Sequence, residues 1–172
     1  MKRPIASLLL LALLSGCGLH PVYSGGRTGP VARMTGDVEV PAIEGKAGWL
    51  VRNALNDRLA AMTNDDGPKY RLVVKLDDSI QGFGVRADDA VTRERRTLRA
   101  RYQLVDDATG AQIMEDTAGS DVGIDVVSSE YATIAAEDTA LERLAQVIAD
   151  QILSRLALYA LQEGKKPAPA GQ

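Results

Sequence analysis

The chain has 172 residues and a formal charge of −3, from 20 Lys plus Arg and 23 Asp plus Glu. That length suits one domain, and apolar and charged shares of 45% and 25% exclude a wholly disordered chain. A single Cys and a single His exclude a disulfide framework and leave no ready Cys-rich zinc site or Ser-His-Asp assembly, while net acidity and 4% aromatics argue against a nucleic-acid partner.

Residues 1–16 read as a secretory signal. Lys2 and Arg3 are the positive leader, and Ile5 to Leu14 is apolar but for Ser7. Those residues rise about 15 Å as a helix, half of a hydrocarbon core of about 30 Å, so the run is a signal core and no membrane span. Leu14-Ser15-Gly16-Cys17 has the form of a bacterial lipobox. In that system the Cys17 thiol takes a diacylglycerol, cleavage precedes it, and the new amine is acylated. Each buried methylene adds about 0.8 kcal/mol, so several chains hold the protein to a lipid leaflet. Gly18 follows Cys17 where an Asp would signal inner-membrane retention, which favours the outer membrane. Removal of residues 1–16 takes Lys2 and Arg3 away and moves the charge from −3 to −5.

Residues 17–36 hold five Gly, Pro21, Pro30 and the lone His20, without sustained periodicity, and read as a lipidated flexible tether. Asp37 to Ile43 alternates polar and apolar, as a short strand does, and Pro41 places it at a sheet edge. Gly45 to Gly48 breaks the chain. From Trp49 to Met62 the spacing of Val51, Leu55, Leu59 and Met62 predicts an amphipathic helix.

Tyr70 to Ile80 alternates as a strand, with Leu72, Val74 and Leu76 on one face. Ala90 to Val105 is a second strand, with Leu98, Ala100, Tyr102 and Leu104 on one side. Asp106-Asp107-Ala108-Thr109-Gly110 signals a hairpin, and Ala111 to Val122 returns. The period then lengthens. Ile134, Leu141, Leu144, Ile148, Ile152, Leu156 and Tyr159 form one stripe of a helix over 133–161, capped by Thr133 or a neighbouring Ser. Val147, Leu158 and Leu161 lie on its other side. Residues 162–172 read as a disordered tail.

The order β-α-β-β-β-α predicts an α+β two-layer sandwich over 37–161, two helices on one face of a mostly antiparallel four-stranded sheet. No catalytic constellation, metal set or cofactor motif emerges. The Asp pairs at 65–66, 77–78, 88–89 and 106–107 sit at expected turns, where Asp suits the backbone. The least random feature is a basic stripe. Val91 to Arg101 carries five Arg and one Glu, whereas Tyr102 to Leu161 carries eleven acids and two Arg. Arg93, Arg95, Arg99 and Arg101 share one strand face, and Arg96 points the other way. The stripe is either a solvated face paired with acids on neighbouring strands or a site for an anionic partner, since Arg grips phosphate with two N–H groups.

Cys17-Gly18-Leu19-His20-Pro21-Val22-Tyr23 after the lipobox, the order of elements, and the long stretch from Tyr131 to Tyr159 together resemble the LptE family of lipopolysaccharide-assembly lipoproteins, in its alphaproteobacterial form. The resemblance implies a non-enzymatic protein that binds lipopolysaccharide and pairs as a heterodimer with the outer-membrane β-barrel LptD. It implies a domain within or beneath that barrel, held on the periplasmic side of the outer membrane by acylated Cys17. The Arg stripe is then a candidate contact for lipopolysaccharide or for the barrel. Two other classes remain open on the residues alone: an auxiliary lipoprotein of a lipid or solute ABC transporter, and an envelope hydrolase.

Overall fold

The computed structural model describes residues 29–61, 69–85 and 91–165. The signal, the lipobox with Cys17 and the start of the tether lie outside these residues. Seven elements follow in order: α1 (Pro30–Gly36), β1 (Val38–Glu39), α2 (Gly45–Ala60), β2 (Tyr70–Val85), β3 (Val91–Asp106), β4 (Gln112–Asp125) and α3 (Glu130–Lys165). The strands form one mixed sheet in the order β1-β2-β3-β4. β1 pairs parallel with β2, while β2, β3 and β4 form an antiparallel meander. This is the expected α+β arrangement, with α2 and α3 over one sheet face.

The alternation of β2 and β3 sorts their side chains. Leu72, Leu98, Ala100, Tyr102 and Leu104 are at most 1% exposed, and they meet Val51, Leu55, Leu144, Ile148, Ile152 and Leu156 from the helices in one core. Tyr102 is among the largest fully buried side chains. Its Oη has no hydrogen-bond partner among the described residues, and burial, then the nearby Asp116 charge, push its phenol up to about 12.

Two ion pairs fix how the helices run. Lys46 Nζ lies 2.7 Å from Asp138 Oδ1, and Arg58 Nε lies 2.6 Å from Asp150 Oδ1. Both partners advance by twelve residues (46 to 58, 138 to 150), so α2 and α3 are parallel. At the hairpin between β3 and β4, Asp106 Oδ1 accepts bonds from Thr109 N and Thr109 Oγ1, each at 2.7 Å, and Gly110 takes φ +71°. Those bonds lower the Asp106 pKa. The turn is the one its sequence signals.

Several boundaries differ from the sequence reading. Residues 30–36, assigned to the flexible tether, form α1. Pro30 opens it, where a missing N–H costs nothing. Val31 then packs on Ala157 and Ala160 of α3, with Met34 and Leu161 beside them, so one small apolar cluster holds a segment too short to show a period. The strand expected over 37–43 is paired only at Val38 and Glu39. α2 begins at Gly45, because Gly48 is not a breaker. It lets the helix lie against the Ile43 carbonyl, where a Cβ would collide. α3 starts at Glu130, with Ser129 Oγ accepting from Ala132 N at 3.4 Å, and it continues to Lys165, into the segment read as a tail.

One member of the α3 stripe is misplaced. Ile134 is 50% exposed. Near it the sheet presents Arg96, whose Nη1 donates to the Glu137 carbonyl at 2.9 Å, so the apolar core ends about two turns later, at Ala140 and Leu141.

Candidate functional site

Because odd-numbered β3 residues face away from the helices, Arg93, Arg95, Arg99 and Arg101 all stand exposed on the open face of the sheet. Arg96 points into the helix layer and is buried. The register sets what each exposed Arg meets. Arg93 faces Asp125 across β4, and Arg93 Nε binds Asp125 Oδ1 at 2.9 Å. Arg95 faces Gly123, reaches Asp121 Oδ2 at 3.6 Å, and lies 5.4 Å over the Phe83 ring. These two are paired with acids of β4 and exposed to solvent.

Arg99 and Arg101 differ. Arg99 faces Asp77 on β2 and Gly119 on β4, and Arg101 faces Lys75 and Thr117. Neither Arg, nor Lys75, has a carboxylate oxygen within 4.0 Å among the described residues. Gly119 shapes the floor. A Cβ there would sit 3.3 Å from Arg99 Nη1 and 3.5 Å from Arg99 Cγ, so the bare glycine lets the Arg99 side chain lie across β4. Lys75, Asp77, Arg99, Arg101, Thr117 and Gly119 line a shallow hollow of about 460 Å³. It holds three cations and one carboxylate, and a smaller hollow of about 140 Å³ continues from Lys75 and Arg101 to Val73, Gln103 and Glu115.

The structure thus divides the stripe in two and adds Lys75, which stands on the same open face of β2. Only the β2–β3 register brings Lys75 opposite Arg101. An acidic protein with three adjacent unpaired cations has a local positive field, and Arg forks fit phosphate or carboxylate oxygens. Among the described residues no group of His, Cys, Asp and Glu could hold a metal ion.

The family comparison bears directly on this domain. A model of the LptE family, described as lipopolysaccharide-assembly, matches residues 35–156. The chain belongs to the LptE family. A crystallised chain from Caulobacter crescentus, described as a lipoprotein, is 30% identical with a TM-score of 0.62, over 79% of this chain and 98% of that one. A minor lipoprotein from Acinetobacter baumannii is 17% identical with a TM-score of 0.55, covering 70% of this chain and 88% of its own. Rare lipoprotein B from Shewanella oneidensis is 12% identical with a TM-score of 0.58, covering 74% and 98%. The last two share the fold alone. No curated protein sequence matches the chain. LptE-family membership makes this a lipopolysaccharide-assembly lipoprotein of the cell envelope, in a family without enzymatic activity.

Proposed function

We propose that this LptE-family protein is the lipoprotein partner of an LptD-type outer-membrane β-barrel and that it contacts lipopolysaccharide through the hollow lined by Lys75, Arg99 and Arg101. The mature chain begins at acylated Cys17, which anchors it to the periplasmic side of the outer membrane. Residues from 17 to the start of α1 form the tether, and the α+β domain lies within or beneath the barrel. The observation that carries the ligand reading is the set of three cations without a carboxylate oxygen in ion-pair reach among the described residues, in an otherwise acidic domain. Lipopolysaccharide bears phosphates, and each Arg can bind two phosphate oxygens at once.

Affinity purification of the mature lipoprotein from outer membranes tests the partnership. A stable one-to-one complex with a very large β-barrel is expected. Recovery of an inner-membrane ATPase complex in its place would assign the chain to transporter accessories. Cys17→Ala tests the anchor: labelled fatty acid should no longer enter the protein, and continued labelling would sink the lipobox reading.

A further inference from the structure

β4 is the open edge of the sheet, and its outward backbone groups are treated differently along its length. Gly119 N donates to Gln151 Oε1 at 3.0 Å, and Gln151 Nε2 donates to the Gly119 carbonyl at 3.3 Å. One side-chain amide from α3 therefore supplies the donor and acceptor that a neighbouring strand would supply. The same two bonds show that odd-numbered β4 residues turn their N–H and C=O away from β3.

Asp121 and Gly123 are the next odd positions, and no hydrogen bond occupies their N–H or C=O groups among the described residues. Opposite the Gly123 end α3 carries Ala135, Ala136, Thr139 and Ala140, all too short to reach the edge as Gln151 does. Between edge and helix lies a channel of about 440 Å³. A strand added to a sheet lies about 4.8 Å from its neighbour, and small residues on the facing helix leave it room.

We propose that the channel between β4 and the first half of α3 binds an extended segment of another polypeptide by strand addition, pairing with Asp121 and Gly123. Main-chain bonds supply the affinity in this mode, and alternate side chains supply the selectivity. The occupant carries small side chains over Ala136 and Thr139 and one acidic group set against Arg143, which lines the channel without an ion-pair partner among the described residues, whereas Asp125 in the same lining is already held by Arg93. A second copy does not fit. β4 bears Glu115, Asp116, Asp121 and Asp125 and no cation, so edge-to-edge pairing would set acids against acids.

The test uses the full mature lipoprotein in detergent against an array of short overlapping peptides spanning the outer-membrane and periplasmic proteins of the producing cell. Some peptides are expected to bind and to slow amide exchange at Asp121 and Gly123. Gly123→Pro removes one outward N–H without touching the β3–β4 ladder, and Ala136→Trp fills the channel while keeping every backbone bond. Each should weaken the bound peptides at least about tenfold. If Gly123→Pro does not fold, Ala136→Trp decides alone. Absence of any bound peptide, binding indifferent to Ala136→Trp, or a β4-dependent homodimer would each overturn the proposal. Lipopolysaccharide binding at Lys75, Arg99 and Arg101 would be unaffected by all of these outcomes.

Discussion

Arg96 grips Asp78 from the neighbouring strand with two arms of its guanidinium, Nε to Oδ1 at 2.9 Å and Nη2 to Oδ2 at 2.6 Å, while Nη1 holds the Glu137 carbonyl of α3. The Arg side chain is 11% exposed and that of Asp78 is 24% exposed. This fork closes the end of the core where apolar side chains stop. Removing one partner strands a mostly buried charge, which costs more than the pair itself contributes. Arg96→Leu should lower unfolding stability by about 2–4 kcal/mol in denaturant titration. Asp78→Leu combined with Arg96→Leu should recover much of that loss. A double mutant no better than the single would contradict the account.

Beside that fork, Glu94 has a buried Oε2, and its carboxyl lies against that of Glu137. Burial first, then the Glu137 charge, raises the Glu94 pKa. A carboxyl with a raised folded pKa binds its proton more tightly in the fold than in the unfolded chain. Its contribution is complete below about 4.5 and is lost as pH rises through the folded value. Glu94→Gln should therefore raise the melting temperature at pH 7, and the gain should shrink toward pH 4. A gain independent of pH would show that the carboxyl charge is not its source.

Gly48 sits in α2, and Ala is a better helix former than Gly by about 1 kcal/mol. Packing reverses the sign here. A Cβ at Gly48 would collide with the Ile43 carbonyl oxygen and carbon and crowd Ile43 Cγ2, and backbone cannot swing aside as a long side chain can. Gly48→Ala should destabilise by about 1–3 kcal/mol in thermal or chemical unfolding. An unchanged or raised melting temperature would show that the segment before α2 yields freely.

The α3 stripe separates what the residues reveal from what they conceal. Ile152 is fully buried, and Ile152→Ala should cost about 2–5 kcal/mol, whereas Ile134→Ala, at 50% exposure, should change stability by under about 0.5 kcal/mol. Equal costs would refute this placement of the core boundary. Both residues fit the same helical period, so period alone cannot separate them. The difference comes from Arg96, which reaches Glu137 from a strand 41 residues earlier. Local pattern likewise displayed the Leu72–Val74 and Leu98–Leu104 faces and the Asp106–Gly110 turn. It hid α1, whose seven residues are ordered by Ala157 and Ala160 at the far end of the chain. The candidate site followed the same rule. Alternation placed four Arg on one face, but which of them are neutralised depends on the β3–β4 register, and Lys75 joins them only through the β2–β3 register.

That register yields a comparison within one stripe. Arg93 and Arg95 already have Asp125 and Asp121, whereas Arg99 and Arg101 have no carboxylate within reach among the described residues. Arg99→Glu with Arg101→Glu should therefore weaken lipopolysaccharide binding far more than Arg93→Glu with Arg95→Glu, although both pairs change the charge by four. A charge-assisted bond contributes about 1.5–3 kcal/mol when partly desolvated and far less in open water. Two lost contacts then span a few-fold to about a thousand-fold, at tenfold per 1.4 kcal/mol. Binding to the parent should fall as salt rises, and the Arg99/Arg101 variant should lose most of that salt dependence. Circular dichroism controls for folding, direct lipopolysaccharide binding gives the readout, and co-purification reports on the barrel. Equal losses from the two pairs would mean that only overall charge matters, and the hollow around Gly119 would have no special part. Loss of the barrel with lipopolysaccharide binding intact would make Lys75, Arg99 and Arg101 a docking surface for the barrel.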